Sequence, residues 1–226
     1  MTKDRKALLI SALSKFLGGL LLMGALLFLP AGTLRFPGAW RLILLLFVPM
    51  LLFGAVLFLK APELLKKRLN DKETSDVQKK VVLLSGLEFL ACFVLAGLDF
   101  RFGWFSLPKG VVTAASAVFV GCYALYMEVM RENAYLSRTV EVQEGQQVVS
   151  TGLYGIVRHP MYFAVTLLFW AMPLVLGSLA AFLVMLPFPL LLVSRIRDEE
   201  RILEEGLPGY REYEQKVRYR LFPFIW

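Results

Sequence analysis

The chain has 226 residues, 58% of them hydrophobic, with a mean hydropathy of +0.63 and a formal net charge of +7. A soluble domain of this size has no need of its long uncharged runs, so the composition excludes an ordinary soluble protein and points to an integral membrane one. The positive charge does not point to nucleic acid, because it is divided unevenly between alternate loops, the pattern that membrane insertion produces.

Four single spans are predicted first, at about residues 7–29, 40–59, 81–98 and 110–130. Each is close to the ~20 residues that cross ~30 Å of hydrocarbon. The first is too long for a signal peptide and lacks a cleavage flank, so it is expected to be retained as a helix. Lys15 interrupts it but can snorkel to the interface. Glu88 lies inside the third span, where an ionisable side chain is functional by default, yet it stands only about two turns from a charged loop. Cys92 and Cys122 fall in apolar stretches and read as packing residues, since two thiols make neither a zinc site nor a disulfide framework.

The loop 60–80 is charged, and Pro62-Glu63-Leu64-Leu65 opens it like a helix. Residues 139–149 alternate in part and turn at Glu144-Gly145, which predicts a short extended piece leading to Ser150-Thr151-Gly152-Leu153-Tyr154. Residues 161–194 then run for 34 positions without a charge. One helix of that length would reach ~51 Å, far too long for a single crossing. Pro173 and Gly177-Ser178 lie near its middle, which predicts a hairpin of two short helices. Either they tilt little and thin the bilayer locally, or they do not fully traverse it. Pro187 and Pro189 kink the returning arm. The tail is expected to form two short amphipathic helices broken at residues 206–209, with an aromatic end suited to the interface.

With six crossings, 20 basic residues fall on one face and only Arg35, Arg41, Arg101 and Lys109 on the other. That asymmetry puts both termini, the His159 region and the tail in the cytoplasm. The expected architecture is an all-α polytopic membrane protein of about six membrane helices, the last two a short hairpin, followed by short cytosolic helices. It divides into a four-helix membrane region, residues 1–132, expected to hold a substrate groove, and a cofactor-binding and catalytic region, residues 133–226.

The hairpin returns both of its ends to one face. At one end stands Arg158-His159-Pro160-Met161-Tyr162, with the chain's single histidine; at the other is the charge burst from Arg195 to Arg201. Arg195 and Glu199 are four apart and share a helix face, and Glu200 and Glu204 form an adjacent stripe. Such a run is often only a solvated helix, but Arg195 abuts the hydrocarbon where a membrane-borne substrate would present a polar head. Pro160 starts a helix, so His159 lies near unpaired backbone N–H groups that favour an anion. One histidine and two distant cysteines give no metal site. No nucleophile elbow, dinucleotide fingerprint or P-loop occurs. The residues thus describe a pocket with an anion-binding end and a cation-binding end, suited to a zwitterion carrying an apolar or aromatic part.

Five motifs in order, Thr151-Gly-Leu-Tyr154, Arg158-His-Pro-Met-Tyr162, Glu199-Glu200-x-x-Leu203, Gly209-Tyr210-x-x-Tyr213 and Arg220-Leu-Phe-Pro223, resemble the isoprenylcysteine carboxyl methyltransferase family. The resemblance covers about residues 133–226. It implies a membrane-embedded methyltransferase that uses S-adenosyl-L-methionine. It implies cofactor contacts from Gln146, Gln147, Val148, Val149, Tyr154, His159, Pro160, Met161, Tyr162 and Glu199, and makes Arg195 the substrate-contacting, catalytic arginine. Ala164 stands where the family usually has glycine. The implied reaction is methyl transfer at the cytosolic membrane face to a carboxylate of a lipophilic or prenylcysteine-like acceptor, with no metal. Alternatives are a phospholipid-amine or small-thiol methyltransferase, a nicotinamide-dependent membrane reductase, and a non-enzymatic membrane protein. The expected partners are the bilayer and a lipophilic or small-molecule acceptor, with no nucleic acid and no obligate protein partner.

Overall fold

The structure is a computed structural model that describes residues 3–70, 75–137 and 139–226. Lys72 and Arg138, two of the 20 basic residues on the crowded face, lie outside the described residues. The chain forms α1 (Lys3–Ala31), α2 (Pro37–Lys60), α3 (Pro62–Leu69), α4 (Asp76–Phe102), α5 (Lys109–Glu132), α6 (Pro160–Leu176), α7 (Leu179–Met185), α8 (Phe188–Gly206) and α9 (Tyr210–Lys216). No strand occurs among the described residues. The four predicted spans are α1, α2, α4 and α5, each extended by a few residues into its charged flanks.

Among the described residues, five helical stretches are long and apolar enough to cross a membrane: α1, α2, α4, α5 and the arm Leu179–Gly206 formed by α7 and α8. The shorter apolar helix is α6, of 17 residues, roughly 26 Å at 1.5 Å per residue and so a little short of the hydrocarbon thickness. The protein is a polytopic all-α membrane protein. Its outward faces carry exposed Leu21, Leu29, Leu52 and Leu59, as a lipid-facing surface should. Its packed centre is built from Leu27, Leu42, Phe119, Val175 and Met185, all close to zero exposure.

The hairpin turns at Gly177-Ser178. Gly177 is left-handed at φ 86, and Ser178 caps α7 by accepting from the Ala181 N–H at 3.1 Å. Pro173 lies inside the end of α6 and takes part in the turn through its backbone, its carbonyl accepting from the Ser178 N–H at 3.0 Å. Far from the basic-rich end, Asp99 clasps this turn. Its carboxylate accepts from Ser178 Oγ at 2.5 Å and from the Phe105 N–H at 2.9 Å. The Arg41 guanidinium donates to the Val175 carbonyl at 3.1 Å. Trp170 Nε1 ties the two arms together through the Met185 carbonyl at 3.0 Å.

The arms differ in one respect from their sequence reading. The charged segment after Ser194 is not a separate tail helix; it continues α8 without a break to Gly206. An apolar first half and a polar second half on one rod give α8 a strong amphipathic character, and from Arg195 onward it stands beyond the apolar segment. The start of α4 holds it there. Gln78 Nε2 donates to the Arg195 carbonyl at 3.2 Å and to Asp198 Oδ2 at 2.9 Å, and Ser75 Oγ donates to the same carboxylate at 2.7 Å. Gln78 is fully buried, so this clamp fixes the height and rotation of α8 at Arg195.

Candidate active site at the basic-rich end

Each sequence motif makes a local structure with a physical reason. Gly152 adopts φ 56, and a Cβ there would fall 1.8 Å from Glu132 Oε1. Only glycine lets the chain pass this close to the end of α5, where the Leu153 N–H donates to Glu132 Oε2 at 3.0 Å. The 3-10 turn Gly152–Gly155 that follows presents Tyr154. Its hydroxyl accepts from Asn133 Nδ2 at 3.0 Å, and its carbonyl accepts from the Tyr213 hydroxyl at 2.7 Å. The Thr-Gly-Leu-Tyr and Gly-Tyr-x-x-Tyr motifs are therefore two halves of one contact.

The Arg-His-Pro and Arg-Leu-Phe-Pro motifs are paired in the same way. The Arg158 N–H donates to the Tyr219 carbonyl at 2.8 Å and the His159 N–H to the Arg220 carbonyl at 2.9 Å. Pro160 then takes the first position of α6, where its missing N–H costs nothing.

Glu200 binds these two segments to α8. Its Oε1 accepts from Arg158 Nε at 2.7 Å and lies 3.2 Å from His159 Nε2; its Oε2 accepts from Arg220 Nε at 2.6 Å. Glu200 is 2% exposed and Arg158 8%. Burial acts to raise the Glu200 carboxyl, but the hydrogen bonds and charge of His159, together with Arg158 and Arg220, outweigh it and pull it down to about 2. Arg158 also donates to the Val217 carbonyl at 3.2 Å and reaches Glu214 Oε1 at 3.5 Å. This carboxylate is a structural clamp on the tail; the sequence alone leaves it as one member of a charged stripe.

Glu199, one residue earlier, faces the other way. Its Oε2 accepts from the Tyr162 hydroxyl at 2.6 Å, and that hydroxyl in turn accepts from Arg195 Nε at 2.8 Å. The Arg195 guanidinium lies 5.8 Å from the Tyr162 ring centre, and the His159 ring stacks on Tyr162 at 5.6 Å and 22°. The predicted Arg195–Glu199 face exists, with Tyr162 inserted between the two charges.

These residues line a cavity of about 800 Å³, within the range of small-molecule sites. Of the eleven residues singled out from the sequence, Gln146, Gln147, Val148, Val149, Tyr154, His159, Met161, Tyr162, Arg195 and Glu199 lie on its wall. Pro160 does not; it is buried as the start of α6 and acts on the site through the backbone. Gln146 is set by a turn at Gly145, φ 69, where its Oε1 accepts from the Gln143 N–H at 2.9 Å. The cavity also has walls that motif reading did not find: Met50 and Phe53 of α2, Phe89 of α4, Tyr126 of α5, Arg68 of α3, and Asn133. Met50, Phe53 and Phe89 stand among many other large hydrophobes and Arg68 in a basic run, so no spacing in the sequence marks these positions. Among the described residues, no group of three or more His, Cys, Asp or Glu could hold a metal ion.

The cavity is thus polar at one end and apolar along its membrane-facing length. Residues 111–208 match the phospholipid methyltransferase family, and this stretch contains α6, α7, α8 and most of α5. The chain is also 34% identical over 91 residues to the Delta(14)-sterol reductase TM7SF2 of Mus musculus, covering 39% of this chain and 22% of that protein. It is 28% identical over 93 residues to a Delta(14)-sterol reductase of Methylotuvimicrobium alcaliphilum, covering 40% of this chain and 22% of that one. The chain therefore spans about a fifth of the length of these relatives.

Proposed function

We propose that the protein transfers a methyl group from S-adenosyl-L-methionine to a lipophilic acceptor, at the membrane face that carries its basic residues. The observation that carries this reading is the joining of a polar pocket, formed by the C-terminal motifs, to an apolar channel between the membrane helices. The family match over residues 111–208 supports it. In this reading residues 133–226 bind the cofactor and residues 1–132 shape the acceptor groove.

The lining chemistry fits the cofactor. Glu199 can oppose a cationic or hydroxyl-bearing part, the amides of Gln146 and Gln147 offer donors and acceptors, and Val148, Val149 and Met161 supply apolar walls for an aromatic ring. When bound, the cofactor supplies an electrophilic methyl on a sulfonium. The protein's own part is alignment and exclusion of water. Tyr162 links Arg195 to Glu199 and so couples the acceptor side to the cofactor side. Arg195 holds an acceptor carboxylate through its planar fork. An acceptor that is already an anion needs no general base, in keeping with a site whose one histidine is engaged by Glu200. A prenylcysteine-like carboxylate is the acceptor favoured by the motif resemblance; a phospholipid amine is the alternative favoured by the family match.

The sterol reductase relatives favour a second reading, in which the same polar pocket takes a nicotinamide cofactor. Thermal unfolding of the purified protein in uncharged detergent separates the two. S-adenosylhomocysteine is expected to raise the melting temperature, and NADPH to leave it unchanged. The reverse result would overturn methyl transfer in favour of reduction. The site is proposed to face the cytoplasm, from the 20-to-4 distribution of basic residues. Labelling from outside the cell of a cysteine placed at Trp226 would contradict that orientation.

A further inference from the structure

Three arginines line the cavity, and one of them, Arg68, belongs neither to the Arg195–Tyr162–Glu199 cluster nor to the Glu200 clamp that holds Arg158. Arg68 stands in the last turn of α3, the short helix joining α2 to the α4 side of the molecule, and it lies on the cavity wall. Two neutral groups fix its guanidinium. Nη2 donates to the Tyr126 hydroxyl at 2.6 Å and Nη1 to the Ser137 carbonyl at 3.1 Å. Its central carbon lies 5.7 Å from the Tyr126 ring centre. Among the described residues no carboxylate lies within ion-pair distance of it. The contrast with Arg158 and Arg220 is direct, since both of those are neutralised by Glu200.

A guanidinium has five N–H donors. Two are used here, and by partners that carry no charge. A cation drawn partly out of water and left uncompensated is costly unless an anion joins it. Arg68 is held rigidly, its neighbours on the cavity wall include the apolar Leu65, Leu69, Phe53 and Met130, and the fork geometry matches a carboxylate or a phosphate. A group that places an anion here and leaves an apolar body beside α2 and α4 is an anionic amphiphile.

We propose that Arg68 holds the anionic head, phosphate or carboxylate, of the amphiphilic methyl acceptor, at a point separate from the reacting position beside Arg195. The assignment rests on the methyl-transfer reading for the word acceptor; the anion-binding role itself does not. It makes Arg68 a positioning and specificity residue, contributed by a part of the chain outside all five motifs.

The test is binding to the full-length protein in dodecyl maltoside, with dodecyl phosphate, dodecanoate, dodecanol and inorganic phosphate as probes and S-adenosylhomocysteine as a separate ligand. Wild type is expected to bind at least one of the two anionic amphiphiles more tightly than dodecanol, and inorganic phosphate not at all at the same concentrations. Arg68→Gln should weaken the anionic amphiphile by roughly tenfold or more, from the usual strength of a hydrogen bond to a charged group, and leave dodecanol unchanged. Its affinity for S-adenosylhomocysteine should stay as in wild type. Tyr126→Phe, which removes only the hydroxyl that steadies the fork, should lose a few fold and serves if the glutamine variant does not fold. Equal binding of dodecyl phosphate, dodecanoate and dodecanol by wild type would overturn the proposal. So would unchanged anion binding by Arg68→Gln, or binding of inorganic phosphate as tight as that of the amphiphiles. Loss of S-adenosylhomocysteine with anion binding retained would also overturn it, by assigning Arg68 to the cofactor's carboxylate. If wild type binds no S-adenosylhomocysteine but Arg68→Gln still loses the anionic amphiphile, the anion site stands and the methyl-transfer reading falls.

Discussion

Glu199 and Glu200 are neighbours on one helix, turned about 100° from each other, and they serve two different regions. Glu200 looks toward the tail, where Arg158, His159 and Arg220 surround it. Glu199 looks into the cavity, where Tyr162 alone among the described residues donates to it. The tail region is electrically closed: a buried carboxylate held by three cationic or polar partners joins three segments distant in sequence. The cavity region is open on its acidic side, since among the described residues Glu199 meets only a neutral hydroxyl and keeps carboxylate lone pairs for something else. Within one charge run, the residue whose partners already saturate it builds the site, and the residue left under-satisfied at the cavity wall is the one placed to meet a ligand.

Isosteric changes at the two positions test that contrast. Glu200→Gln leaves Arg158 buried without its main counter-ion, and removing one partner of a buried ion pair costs about 3–5 kcal/mol. The purified variant is expected to melt far below wild type or fail to accumulate in the membrane. Glu199→Gln should melt like wild type without ligand and bind S-adenosylhomocysteine about tenfold or more weakly, in line with the roughly 1.5–3 kcal/mol of a charged hydrogen bond. Similar melting temperatures for the two variants would erase the distinction between closed and open regions. His159 belongs to both, because its ring stacks on Tyr162 and its Nε2 meets Glu200.

The sequence made the polar end of the cavity legible and left most of its walls hidden, for a physical reason. Residues such as Gly152, Tyr154 and Tyr162 sit in motifs because the backbone there needs a specific residue: a positive φ beside Glu132, or a hydroxyl at the meeting point of two charges. The apolar walls carry no such constraint. Met50, Phe53 and Phe89 could each be another large hydrophobe, and periodicity cannot separate a cavity-facing position from a lipid-facing one in a span that is apolar all round. Gln78 was hidden differently. It reads as one polar residue in a charged loop, and only the packing of α4 on α8 shows it buried and holding the Arg195 carbonyl. The hairpin was legible from charge and turn residues, but the continuity of α8 past Ser194 was not, because a change from apolar to charged composition looks the same whether a helix ends or only leaves the membrane.

Arg195 offers the finer test, because its loss should touch function and leave the fold alone. Its backbone is held by Gln78 through a carbonyl that any residue supplies, so Arg195→Ala keeps that clamp. Tyr162 still donates to Glu199 in the variant, so the cofactor side of the cavity keeps its geometry and S-adenosylhomocysteine affinity should stay within a few fold of wild type. What disappears is the planar fork at the boundary with the apolar segment. Turnover of a carboxylate acceptor should therefore be lost in a labelled-methyl transfer assay. Arg195→Lys should rescue it poorly, since a point charge does not reproduce two parallel donors. An amine or neutral thiol acceptor gives Arg195 no anion to hold, and the alanine variant would then lose little. Near-normal methyl transfer by Arg195→Ala to the native acceptor would reject carboxyl methylation. The anion-holding role in the cavity would then pass to Arg68, and the phospholipid-amine alternative would move to the front.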